Sequence, residues 1–135
     1  MKRMVLWLVV AAVVGLGLYV RLAPADPARW HVPVVAEADR DLPGGVIRVV
    51  QTGPDGLARL DQVARATPRT TVLAGSVDEG LITYVSRSRV FGFPDYTTAQ
   101  QDGDSLRIYG RLRFGRRDFD VNRTRVDGWL AALQS

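Results

Sequence analysis

The chain has 135 residues, of which 47% are hydrophobic and 24% charged, as expected for one folded domain with a short appendage. It contains no cysteine and one histidine, which excludes sites built on thiolates or on two imidazoles. The net charge of +4 comes from residues 81–126, which carry nine arginines and five aspartates. Such a local excess favours anionic partners, and the alternative is a solvated strand face.

The first predicted element is an apolar helix at the N-terminus. Residues 4–20 form a run of seventeen residues without a charge, close to the shortest helix that crosses a hydrocarbon layer of about 30 Å. Trp7 and Tyr19 lie near its two ends, where aromatic rings favour the membrane interface. We therefore predict a membrane anchor over residues 1–20 that contacts the lipid bilayer from Met4 to Val20.

A cleavable signal peptide is the alternative, because Ala23-Pro24-Ala25 offers a small-x-small cleavage site. The length of the apolar run, Arg21 before that site and the flanking prolines favour an uncleaved signal anchor. Lys2 and Arg3 place the N-terminus in the cytoplasm. For a bacterial chain this predicts a single-pass protein of the inner membrane with a periplasmic C-terminal domain.

Residues 21–45 contain four prolines and predict an extended linker. Trp30 interrupts it, and an indole in such a segment is expected to dock into a groove of its own domain, with interfacial anchoring as the alternative. His31 has no second imidazole and is expected to be capped or solvated rather than a metal ligand. The globular domain is predicted to span residues 46–135.

The pattern after the linker predicts an α+β domain. A β-branched run over residues 46–50 indicates a strand, and a helix follows between Asp55, a candidate N-cap, and Pro68. Period-two alternation and turn residues then predict extended segments at residues 70–77, 81–90, 96–101 and 105–114. The expected fold is a small antiparallel sheet with two helices packed on one face, after a single N-terminal transmembrane helix.

Alternation in the last strand divides its side chains between two faces. The apolar face is expected to be core, whereas the polar face carries Arg107, Tyr109, Arg111 and Arg113. We expect this polar face to meet water or a partner. It is the predicted binding surface for an anionic lipid, ligand or protein, and nucleic acid is not expected outside the cytoplasm.

The closing helix is expected to begin near Asp118 or Asp120, either of which can cap it. Val126 and Trp129 belong to the apolar stripe of this helix, and Asn122 lies one turn earlier on the same stripe. A buried amide needs hydrogen-bond partners, so Asn122 is expected to bond to backbone in the preceding turn.

Residues 118–126, Asp-Phe-Asp-Val-Asn-Arg-Thr-Arg-Val, resemble the closing motif of the family called domain of unknown function 1499, and residues 91–95 are similar to its Gly-Phe-x-Asp-Asp element. The resemblance covers about residues 45–133 and implies the family's fold without a transferable activity. It departs from the family at residues 109–113, at Tyr96 and at Asp120. The family-like positions, expected to form a shared constellation of unknown role, are Asp95, Arg113, Gly115, Asp118, Asn122, Arg123 and Arg125.

No catalytic residue, metal ligand or cofactor site is predicted, because the sequence lacks a phosphate-binding loop, a nucleophile elbow and metal-ligand spacing. The leading hypothesis is a non-enzymatic, membrane-tethered binding or assembly module. A second hypothesis is a hydrolase or lyase that uses Asp95 and Asp118 in an arginine-lined pocket, and a third is an accessory subunit of a membrane protein complex.

Overall fold

The computed structural model describes residues 1–134, so Ser135 at the end of the predicted domain lies outside the described residues. Its elements are α1 (Lys2–Leu22), α2 (Pro27–Trp30), β1 (Arg40–Leu42), β2 (Gly45–Gln51), α3 (Gly56–Ala66), β3 (Thr70–Ser76), β4 (Leu81–Arg87), β5 (Pro94–Asp102), β6 (Ser105–Leu112) and α4 (Val121–Leu133). The predicted α+β class with an apolar N-terminal helix is confirmed.

All neighbouring strands of the sheet are antiparallel, in the order β1-β2-β6-β5-β4-β3. The last strand, β6, pairs with both β2 and β5 and therefore lies inside the sheet. Because β4 ends where β5 begins, the loop of residues 88–93 lies at the same end of the sheet as residues 113–120, which follow β6. We call these two segments the loop end.

Helices α3 and α4 pack on one face of the sheet. Their apolar side chains enclose the main core with strand residues that share this face: Val46, Ile82, Tyr84, Ala99, Leu106 and Ile108. The alternation predicted for β6 is confirmed, since Leu106 and Ile108 are fully buried. Gly110 follows on this face, where an added Cβ would lie 3.2 Å from Asn122 Oδ1 and from Val126 Cγ2. The missing side chain thus lets α4 approach the strand closely.

A segment that we call the strap, residues 23–39, covers the central part of the opposite face. As predicted, Trp30 docks into its own domain: its ring stacks on Tyr96 with centroids 4.0 Å apart and an interplanar angle of 14°. Farther along, the Val34 amide donates to Gln100 Oε1 at 2.8 Å, and Asp39 Oδ1 accepts from the Val49 amide at 2.8 Å. The linker region also contains two elements that the proline pattern did not predict, α2 and β1.

The ends of several elements differ from the predicted ones. Strand β4 stops at Arg87 and β6 at Leu112, because the following residues turn away into the loop end. Asp55 is the N-cap residue of α3, but its side chain makes no capping hydrogen bond and lies 3.3 Å from Arg59 Nε. The free amide of Leu57 is instead satisfied by Gln101 Oε1 at 2.9 Å, so a neighbouring strand caps this helix.

Helix α1 is the one helix in residues 1–134 that is long and apolar enough to cross a membrane, with a mean hydropathy of 2.2. Its 21 residues extend about 31 Å at 1.5 Å per residue. Most of its side chains are exposed, and its contacts with the domain lie in its C-terminal half: Val20 is buried, and the Tyr19 ring meets Phe114 edge-on at 6.1 Å.

Docking of the strap is testable by Trp30→Ala. Since Trp30 is 8% exposed and stacked on Tyr96, we expect the free energy of unfolding to fall by about 3 kcal/mol. Hydrogen exchange of residues 23–39 should become faster. Urea unfolding and hydrogen exchange of the full chain in detergent measure both effects.

The control is Val35→Ala in the same strap, whose side chain is 94% exposed and should change stability by less than about 0.5 kcal/mol. Equal exchange of the strap in the Trp30 variant and the wild type would show that the indole does not hold it.

Candidate functional site

The four residues predicted as a binding surface lie on the face that the strap covers, and they differ in environment. The expectation that they form an exposed arginine row is wrong for Arg111, which is 8% exposed because Trp30 lies over it. Arg107 is half-buried and pairs with Asp102 at 3.1 Å. Arg113 donates to the Pro24 carbonyl and to the Tyr96 hydroxyl, each at 3.0 Å. Their binding role stays a prediction.

Arg111 holds the strap to the sheet through neutral groups. Its Nη2 donates to the Trp30 carbonyl oxygen at 2.5 Å, and its Nη1 donates to Thr98 Oγ1 at 2.7 Å. The guanidinium carbon also lies 4.8 Å from the ring centroid of Tyr109, a cation–π distance. Burial lowers the pKa of Arg111 to about 10, so the side chain remains a cation at neutral pH.

Four of the family-like residues converge at the loop end. Arg125 Nη1 lies 3.4 Å from Asp95 Oδ2 and donates to Asn122 Oδ1 at 3.1 Å. Asn122 Nδ2 in turn donates to Asp118 Oδ2 at 2.8 Å. These contacts form one connected network that ties the start of β5 to the first turns of α4.

Asp118, rather than Asp120, caps α4. Its carboxylate accepts hydrogen bonds from the amides of Asp120 and Asn122, each at 3.0 Å, and from the Asn122 side chain. Asp120 is the N-cap residue by position, but it has a left-handed backbone with φ of 65° and its side chain makes no capping bond. The expected backbone partner of Asn122 is also wrong, because the partners of its amide are the side chains of Asp118 and Arg125.

The surroundings of the Asp95 carboxyl group in this network change its pKa. Burial raises its pKa, Arg125 partly offsets that rise, and the nearby Asp118 carboxylate adds to it. The side chains of Asp95 and Arg125 are each 16% exposed. Both members of this ion pair are therefore largely withdrawn from water.

The remaining family-like residues lie beside the network. Gly115 has a φ of 100°, a conformation that favours glycine, in the turn after β6. Arg123 pairs with Asp120 at 2.8 Å and with Asp41 at 3.4 Å, and so connects α4 to β1.

A cleft of about 200 Å³ opens at the loop end above Asp95 and Asp118. Its lining combines aromatic, acidic and basic side chains: Ser88, Phe93, Asp95, Leu112, Phe114, Arg117, Asp118, Phe119 and Val121. Sequence reasoning missed the phenylalanines and Arg117 as site residues. The sequence pointed to this region through Asp95 and Asp118, whereas the contribution of residues 88–93 depends on strand pairing.

Comparison with known proteins identifies the family. The family model described as "Protein of unknown function (DUF1499)" matches residues 23–133, and the chain belongs to this family. The match includes the strap, the whole sheet, α3 and α4, and it begins after α1. No curated protein matches the sequence significantly.

The capping role of Asp118 is testable by Asp118→Asn. The amide removes the negative charge and places an NH₂ group among donors, so we expect the free energy of unfolding to fall by about 1–2 kcal/mol. Urea unfolding of the full chain in detergent measures this change.

The matched control is Asp120→Asn, which removes an exposed ion pair and retains a residue that tolerates the left-handed backbone. It should cost less than about 0.5 kcal/mol. A larger loss at Asp120 than at Asp118 would contradict the assignment of the cap.

Proposed function

We propose that this member of the family is a membrane-tethered, non-enzymatic binding module whose loop end contacts anionic groups at the membrane surface. The observation that carries the proposal is the position of three exposed arginines, Arg89, Arg116 and Arg117, at the end of the sheet where α1 joins the domain. None of the ion pairs within residues 1–134 involves them. Cations near an anionic bilayer contribute about 1 kcal/mol each.

The arginines of the predicted face already have partners within the protein, and this favours the loop end as the binding surface. Arg111 and Arg113 donate hydrogen bonds to the strap, and Arg107 has an acidic partner. An incoming anion would have to displace these bonds, whereas it meets Arg116 and Arg117 without such a cost. Arg111 and Arg113 therefore support the surface by fixing the strap between α1 and the sheet.

The same proposal includes α1 as an anchor that is not cleaved from the chain. Its N-terminus lies in the cytoplasm, and the domain lies on the periplasmic side of a bacterial inner membrane. Lys2 and Arg3 before α1 support this orientation. Val20 and Ala23 are buried against the domain, and Arg21 donates to the Val90 carbonyl at 2.6 Å. The end of α1 is thus part of the domain packing, which supports retention of the helix.

The two other hypotheses receive less support. A hydrolase or lyase needs free carboxylates at Asp95 and Asp118, but Asp118 accepts three hydrogen bonds and Asp95 pairs with Arg125. An accessory subunit of a membrane complex would use the same anchor, and co-purification from detergent extracts distinguishes it by the presence of a stoichiometric protein partner.

The binding proposal is tested by native mass spectrometry of the detergent-solubilised full chain with phosphatidylglycerol or phosphatidylcholine. The wild type should retain more of the anionic lipid. The double variant Arg116→Gln/Arg117→Gln should lose about 2 kcal/mol of this preference, or roughly 30-fold at low salt, because two surface cations are removed.

The control for charge is Arg40→Gln/Arg107→Gln, which removes two cations that lie outside residues 88–93 and 113–120. It should retain anionic lipid as the wild type does. Equal retention of the two lipids by the wild type, or a larger loss in this control than at the loop end, would contradict the proposal.

Retention of the anchor is tested by the intact mass of the chain extracted from a bacterial membrane fraction. We expect a mass that includes residues 1–25, because α1 is packed against the domain at its end. A mass that begins after Ala25 would show that the alternative, a cleavable signal peptide, is correct.

A further inference from the structure

The β4–β5 loop, residues 88–93, lies alongside α1. Arg21 near the end of α1 donates to the carbonyl oxygens of Val90 and Phe91, at 2.6 and 3.3 Å. Below these bonds the helix and the loop form an apolar groove of about 160 Å³, lined by Val13, Leu16, Gly17, Val20, Phe91 and Phe93. The loop therefore extends down the side of the helix instead of ending at its tip.

The position of this groove along α1 determines how deep the loop lies in a membrane that α1 spans. Arg21 follows the uncharged run of residues 4–20 and marks the interfacial end of the predicted span. Val13 precedes Arg21 by eight residues, which corresponds to about 12 Å along a helix. If α1 spans a layer of about 30 Å, Phe91 and Phe93 lie on the hydrocarbon side of Arg21.

The carbonyl groups at the tip of the loop have hydrogen-bond partners within the protein. Unsatisfied backbone groups in hydrocarbon cost several kcal/mol each. Here the carbonyl oxygens at the tip accept hydrogen bonds from protein: Val90 and Phe91 from Arg21, and Gly92 from Arg87 at 3.0 Å. Gly92 has a φ of 72°, and an added Cβ would lie 3.0 Å from Arg21 Cγ, so glycine permits both the turn and the close approach of Arg21.

The loop end has exposed apolar side chains next to arginines, as a membrane–water interface requires. Val90 and Phe91 are 68% and 59% exposed, and Phe119 on the neighbouring segment is 88% exposed. The exposed Arg89 adjoins Val90 in the sequence, and Arg117 is separated from Phe119 by one residue. Long cationic side chains around apolar ones can reach headgroups while the apolar groups enter the acyl layer.

We propose that residues 88–93 insert into the outer leaflet beside α1, with Phe91 among the acyl chains. This inference rests on the proposed membrane span and adds a second contact between the domain and the bilayer. Because α1 is already packed against the domain, an inserted loop beside it limits the tilt of the domain relative to the bilayer. In that orientation the mouth of the cleft above Asp95 faces the headgroups.

The test uses single cysteines, since the chain has none of its own. Full chains carrying Phe91→Cys or Val90→Cys are labelled with a polarity-sensitive fluorophore and reconstituted into phosphatidylglycerol and phosphatidylcholine vesicles. The control is Val77→Cys, in the β3–β4 turn at the opposite end of the sheet. Quenching by aqueous iodide is compared with quenching by spin-labelled acyl chains.

We expect labels at positions 90 and 91 to emit at shorter wavelength, to be quenched by the spin-labelled chains and to be protected from iodide, with the reverse at position 77. Iodide quenching at 90 and 91 as strong as at 77, in chains that float with the vesicles, overturns the insertion alone. Failure of all the chains to float with the vesicles overturns the membrane span as well.

Discussion

The contact between Arg111 and the Trp30 carbonyl is the interaction on which the arrangement of the molecule depends. A sheet with helices on one face leaves its other face open, and here a segment from outside the sheet covers it. Arg111 attaches that segment through neutral hydrogen bonds, and the stacked rings of Trp30 and Tyr96 exclude water above them. Since the same segment joins α1 to the domain, its docking turns a flexible tether into a fixed connection.

The arginines of the C-terminal half divide into groups with different physical roles. Arg107, Arg111 and Arg113, on or directly after β6, are buried or half-buried and donate to backbone, hydroxyl or carboxylate groups, as a buried guanidinium must. Arg89, Arg116 and Arg117 of the loop end are exposed and lie outside the described ion pairs. Only the second group has guanidinium groups without a partner in the described ion pairs. For this reason the loop end, and not the sheet face, is the proposed binding surface.

The family-like residues join the start of β5 to the first turns of α4. Asp118 caps α4, Asn122 connects that cap to Arg125, and Arg125 reaches Asp95 at the start of β5. The network consequently fixes the first turns of α4 against the loop end, beside the cleft and its aromatic walls. These contacts hold α4 against the sheet. They also fix the position of the loop end, which lies beside the end of α1.

Local patterns in the sequence determined the apolar helix, the alternating strands and the core-facing residues of β6, because periodicity and length depend on near neighbours along the chain. The convergence of Asp95 with Arg125, the burial of Arg111 and the position of residues 88–93 beside α1 were decided by tertiary structure. Alternation assigns Arg111 to a face but does not say what covers that face. Likewise, Asp118 and Asp120 are equivalent as caps in sequence, and only the left-handed backbone at Asp120 leaves the role to Asp118.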